Sequence, residues 1–167
     1  MLLLADRMRE LNFSQLMAVY EEGNRENALE FWPDMAEGPR MLRAEQEFYS
    51  YLQDVFFRTP KAVYCIWQEN GAYRSALRLE PYKDGYLLEA LETAPEYRCK
   101  GYAVALIQAV QQQGSFEKIY SHVGKQNALS LATHEKCGFH RISEQATYID
   151  GSVNHRACTL LWEKKDG

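Results

Sequence analysis

Asn70–Gly71 stands between two runs rich in β-formers, Ala62–Gln68 and Ala72–Glu80. Both central positions of a type I′ turn need positive φ, which Asn and Gly adopt at least cost. The dipeptide therefore commits the middle of the chain to a tight antiparallel hairpin. Pro81–Gly85 turns the chain again, into a third strand at Tyr86–Thr93. A helix over about Gly101–Gln113 follows, with Ala103, Leu106, Ile107 and Val110 as its apolar stripe, and then a strand at Lys118–Val123. A strand–helix–strand crossover places at least one parallel pair in a sheet otherwise built from hairpins. Asn127–Cys137 predicts a further helix, Phe139–Ile149 a strand, and Asp150–Gly151 a turn into a last strand at Val153–Trp162.

The N-terminal third has a different period. Met1–Ala5 reads as a first strand, too short for a signal segment or a membrane span. Phe13, Leu16, Met17 and Tyr20 recur at helical spacing in a helix predicted to stop near Gly23. Residues 24–39 read as irregular, with Pro33 and Gly38–Pro39 as breakers. Ala44, Phe48, Tyr51, Leu52 and Val55 share one face of a second helix, closed by Thr59–Pro60. The expectation is one domain over residues 1–167, of α/β (α+β) class, with a mixed, mostly antiparallel sheet flanked by helices. At 46% hydrophobic and 13% aromatic residues, the chain can fill such a core.

A formal net charge of −4 argues against a nucleic-acid-binding function, since backbone-gripping proteins present a basic face. Cys65, Cys99, Cys137 and Cys158 form no CxxC pair, so the expected setting is reducing and cytoplasmic rather than disulfide-forming. No membrane association is expected.

Chemistry concentrates in two segments. The connection from the Tyr86–Thr93 strand to the next helix ends in Arg98-Cys99-Lys100-Gly101-Tyr102-Ala103. Small residues at 101 and 103 let a ligand approach the backbone, and the first amides of a helix lack internal partners. With the macrodipole these amides make a site for phosphate oxygens, beside the charges of Arg98 and Lys100. The Walker phosphate loop is absent. In the second segment, Asn127, Ser130, His134 and Cys137 fall on one helix face ahead of Gly138–Phe139.

Together these segments resemble the signatures of the GNAT-type N-acetyltransferase superfamily. Arg98, Gly101 and Ala103 match Arg/Gln-x-x-Gly-x-Gly/Ala, and Asn127, Ser130, Gly138 and Phe139 match the second signature, the resemblance covering about residues 60–163. It implies acetyl-CoA as cosubstrate, with the backbone of Arg98, Cys99, Lys100, Gly101, Tyr102 and Ala103 on the pyrophosphate. Leu91 and Thr93, on the strand edge, would pair with the pantetheine amides, and Asn127, with Ser130 beside it, would bind the pantetheine arm. The implied reaction is direct attack by a primary amine, of a small molecule or a protein, in a ternary complex. His134 stands where the family carries its general-acid tyrosine, which makes it the candidate acid. Glu89 is the candidate base, with Glu92 or water as alternatives. Three positions apart on a strand, Glu89 and Glu92 are expected on opposite faces, Glu89 sharing its face with Leu91 and Thr93. His122, His134, Cys137 and His140 do not complete a zinc set, so no metal is expected. The missing tyrosine sustains a rival reading, a catalytically silent acyl-CoA-binding or sensing module. The oligomeric state is left at monomer or homodimer.

Overall fold

A computed structural model describes residues 1–166. The elements run β1 (Leu2–Ala5), α1 (Phe13–Val19), α2 (Glu21–Phe31), α3 (Glu37–Tyr51, continued by a π-helical turn at Leu52–Phe56), β2 (Val63–Glu69), β3 (Ala72–Tyr82) and β4 (Gly85–Thr93). Then come α4 (Tyr102–Gln112), β5 (Lys118–Gly124), α5 (Ala128–Lys136), β6 (His140–Ser143), β7 (Ala146–Thr147), β8 (Val153–Asn154) and β9 (Ala157–Glu163). Seven strands form one sheet in the order β1-β2-β3-β4-β5-β9-β6, and β7 and β8 make a separate small hairpin. Every neighbouring pair in the large sheet is antiparallel except β4 and β5. The expected mixed, mostly antiparallel sheet is therefore present, with α4 as its crossover.

Asn70 and Gly71 take φ of 50° and 78°, the left-handed pair that the β2–β3 hairpin requires. The alternation along β3 sorts the two faces of the sheet. Leu77 and Leu79 point to the side covered by α4, joining Leu106, Ile107, Val110 and Ile119 in one core. Ala76 points to the other side, where Leu16, Val19, Leu52, Phe56, Tyr64 and Ile66 pack beneath α1 and α3.

Three expectations need correction. The chain does not become irregular at Gly23, which lies inside α2. Gly23 is no helix stop: it faces the Glu92 carboxylate on β4, 3.4 Å from where its Cβ would stand. Arg25 then ties α2 to Glu21 at 3.0 Å and to Glu37, at the start of α3, at 3.1 Å. Gly38–Pro39 does not break structure either; it lies in the first turn of α3, where an absent N–H costs no helical hydrogen bond. Finally, the strands expected at Phe139–Ile149 and Val153–Trp162 are each broken in two. The Thr159 hydroxyl on β9 donates to the Gln145 carbonyl at 2.7 Å, holding the chain where it leaves β6 for β7.

Candidate active site

β4 and β5 run side by side only for Tyr86↔Ile119, Leu87↔Tyr120 and Leu88↔Ser121, and then diverge. The cause lies in β4. Ala90 has φ of 52°, a left-handed conformation that costs a residue with a Cβ roughly 1–2 kcal/mol. It makes a bulge, because Arg78 pairs with Glu89 and Ala76 pairs with Glu92, leaving Leu77 opposite both Ala90 and Leu91. The Tyr20 hydroxyl, reaching from the end of α1, donates to the Ala90 carbonyl at 2.7 Å and holds the bulge. Beyond it, the β5-facing edge of Glu89–Thr93 has no strand neighbour.

The bulge also overturns the expected facing of the carboxylates. Arg78 and Ala76 lie two apart on a regular strand and share a face, so their partners Glu89 and Glu92 share it too. Both carboxylates lie on the side of α1–α3. Leu91 packs into the core under α4, and Thr93 meets Ser75, Oγ1 to Oγ 3.2 Å, on that same far side. Glu89 is thus separated from Leu91 and Thr93 by the plane of the sheet.

Glu89 is three-quarters buried, with 23% of its side chain exposed. Burial pushes its carboxyl up to about 7; the nearby charge of Glu80 adds to this, and the Arg78 guanidinium 4.0 Å away opposes it. Glu92 is also raised, first by burial, against the pull of Arg98. Glu89 borders a cavity of about 940 Å³ with Tyr51, His122, Tyr148, Asp150 and Arg156. A second cavity of about 470 Å³ lies beside it, bordered by Tyr20, Asn24, Asn27, Phe48, Arg78 and Glu92, and Tyr51 lines both. From the sequence, Tyr51 reads as a packing residue of its helix face and His122 only as a zinc candidate, while Tyr148 and Arg78 are not singled out. The signal for Arg78 was the alternation Ala76-Arg78-Glu80, which puts charges on a strand face that helices then cover.

The other side of the fork carries the anion-binding features. Cys99 and Gly101 have φ of 61° and 81°, turning the chain sharply into α4. Gly101 caps the helix without any side-chain hydrogen bond, and a Cβ on it would meet nothing within 4 Å. The first amides of α4, at Tyr102, Ala103 and Val104, have no partner within the helix. Lys100 and Cys99 are exposed beside them. Arg98 does not add its charge here, contrary to expectation. Its guanidinium pairs with Glu22, lies 3.9 Å from Glu92, and donates through Nε to the Thr93 carbonyl at 3.3 Å. It fastens α2 to the end of β4. The Tyr102 ring turns the other way, its hydroxyl hydrogen-bonded with Arg74 and with Glu69. Replacing Gly101 by Val should lower affinity for coenzyme A at least tenfold, read by titration calorimetry, because a branched side chain would crowd the open backbone and strain a positive φ. Unchanged affinity would remove this turn from the binding site.

His134 is 1% exposed, between α5 and β5. Its Nδ1 lies 2.7 Å from the Ser130 carbonyl, which can only accept, so Nδ1 carries the proton. Burial lowers the pKa of the imidazole. In the neutral ring Nε2 then accepts from the Ser121 hydroxyl at 2.8 Å, and Ser121 is the β5 residue at the apex of the fork. No N–H of the ring remains for a departing thiolate. Asn127 caps α5 by accepting from the Ser130 amide at 3.1 Å, and Cys137 is buried at the far end of the same helix.

A sheet split beside one parallel pair, with an uncapped helix start on one side and buried carboxylates on the other, can hold a long anionic cosubstrate in the fork and a basic acceptor beyond it. Solved structures share this fold. The PaiA N-acetyltransferase of Thermoplasma acidophilum, in complex with coenzyme A, superposes with a TM-score of 0.62 at 13% identity, over 98% of this chain and 99% of that one. Spermidine N-acetyltransferase of Vibrio cholerae, in complex with CoA and spermine, gives 0.61 at 18% identity over 98% and 95%. The ribosomal-protein-S18-alanine N-acetyltransferase of Escherichia coli gives 0.58 at 15% identity over 100% and 96%. No curated protein matches the sequence. The family model "Acetyltransferase (GNAT) family" matches residues 25–139. The chain belongs to that family, whose cosubstrate is acetyl-CoA, and is an acyltransferase.

Proposed function

We propose that this enzyme acetylates the primary amine of a small molecule or protein by direct attack within a ternary complex. The observation that carries the reading is the bulge at Ala90, where the fork opens beside the cavity that Glu89 borders. Acetyl-CoA supplies an activated acyl thioester. Its pyrophosphate fits the amides of residues 98–103, and the backbone edge at Leu91 and Thr93 gives its pantetheine a strand to pair with. Asn127 and Ser130 line the path of the arm. Glu89 takes the proton of the attacking ammonium, directly or through one water, at a pKa suited to that transfer near neutrality. Backbone N–H groups on β4 polarise the carbonyl. His134 acts as a positioning residue that fixes Ser121 at the apex, and the thiolate takes its proton from solvent or from the attacking nitrogen, which sheds its second proton as the tetrahedral intermediate collapses.

The spermidine and ribosomal-protein enzymes with this fold support an amine acceptor without choosing one. Three buried free cysteines favour a reducing, cytoplasmic site of action. Among the described residues, no helix is long and apolar enough to cross a membrane. Thiol release from acetyl-CoA over an amine library, with products read by mass shift, tests the proposal. Tight coenzyme binding without turnover on any amine would favour the silent binding module instead.

A further inference from the structure

Arg78 projects from the middle of β3 onto the face that α1–α3 cover, and its guanidinium is poorly answered there. The side chain is 15% exposed. The rings of Phe48, Tyr51 and Phe56 surround the guanidinium carbon at 5.9, 5.1 and 5.8 Å. Nε is buried without a hydrogen-bond partner, and so is the hydroxyl of Tyr64, its cross-strand neighbour on β2. The nearest carboxylate, Glu89, lies 4.0 Å away, too far for the bidentate geometry that makes arginine–carboxylate pairs strong. A buried guanidinium left in this state is costly, and natural proteins meet such groups with a partner. Arg78 borders the 470 Å³ cavity, together with Asn24, Asn27 and Glu92. A fixed cation and a carboxylate thus both border that cavity, and Tyr51 lines both it and the cavity of Glu89.

We propose that the acceptor amine carries a carboxylate within a few bonds of its nitrogen, and that Arg78 receives that carboxylate while the ammonium faces Glu89. The inference rests on the acetyl-transfer reading and narrows it from amines in general to amino acids and compounds of like charge. Arg78 and Glu89 are direct cross-strand partners, so one small zwitterion spans both. A polyamine would instead bring a second cation against the guanidinium.

The test compares a panel of amino acids with their carboxamides as acceptors, in the wild type, Arg78→Gln and Arg78→Lys. Each kcat/KM ratio of acid to carboxamide is taken within one enzyme, so any misfolded fraction cancels. The intrinsic reactivities of the two amines cancel when variants are compared. The wild-type ratio is expected to fall tenfold or more in Arg78→Gln and less in Arg78→Lys, with KM for acetyl-CoA unchanged. An equal ratio in wild type and Arg78→Gln would overturn the assignment of Arg78. Wild-type turnover confined to amines without an anionic group would overturn the acceptor class while leaving acetyl transfer intact. Coenzyme binding with no turnover on any amine would overturn the acetyl-transfer reading, and this inference with it.

Discussion

Replacing Glu89 by Gln is expected to lower kcat by about 10²–10⁴-fold, the usual contribution of a positioned general base. The substitution keeps the shape of the side chain and removes only its capacity to take a proton. In the wild type, kcat/KM should rise as pH climbs through about 7, where the buried carboxyl loses its proton, and level off above it. In Glu89→Gln that inflection should vanish, leaving only the titration of the amine. Stability should move the opposite way. The folded-state pKa of Glu89 lies above its ordinary value of 4.5, so the folded chain holds the proton more tightly than the unfolded chain. The resulting stability is fully present below about 4.5 and is lost as pH rises to about 7. The Gln variant should therefore melt at a higher temperature than the wild type at pH 8, while turning over far more slowly. A pH inflection that survived the substitution would pass the role of base to another carboxylate, Glu92 on the same face first, and full activity with no inflection would pass it to water.

His134→Leu should destabilise the protein by about 2–4 kcal/mol, from the buried partner lost to Ser121 and from imperfect refilling of the space. Denaturant unfolding measures this directly. The activity of the folded fraction should keep the pH profile of the wild type, since that profile belongs to Glu89. The lowered pKa of His134 adds an acid-side signature. The unfolded chain takes up its proton at a higher pH than the folded one, so the wild type loses stability as pH falls through the ordinary imidazole range, and His134→Leu should not share that loss. Unchanged stability together with abolished turnover would restore His134 as the general acid in place of the family tyrosine.

What was legible in the sequence was what a local backbone conformation demands. Asn70–Gly71 announced its hairpin because the turn demands positive φ, and Gly101 announced the start of α4 for a related reason. Ala90 announced nothing. Alanine is an ordinary strand residue by composition, and its left-handed conformation is imposed from outside, by the Tyr20 hydroxyl and the register with β3. One extra residue in β4 inverted the parity on which the facing of Glu89 and Glu92 was read. Gly23 misled in the other direction, because a helix held by its packing tolerates an interior glycine, and its neighbour Glu92 lies 69 positions away in the chain. Arg98 was legible as part of a motif but not in its partners, which come from α2 and β4 and depend on how those elements pack.

The fork has a mechanical consequence for the molecule as a whole. Strands β1–β4 form one continuous ladder and β5, β9 and β6 another, and three residue pairs join them. The seam is also bridged by α4, whose Leu106, Ile107 and Val110 pack against residues of both halves. A molecule lodged in the seam would supply the backbone hydrogen bonds that the diverging strands forgo, and so staple the two halves together. Coenzyme A should thus raise the melting temperature in a concentration-dependent way. Hydrogen exchange should slow along both lips of the seam, at Glu89–Thr93 and at His122–Gly124, and change least at the hinge formed by Tyr86–Leu88.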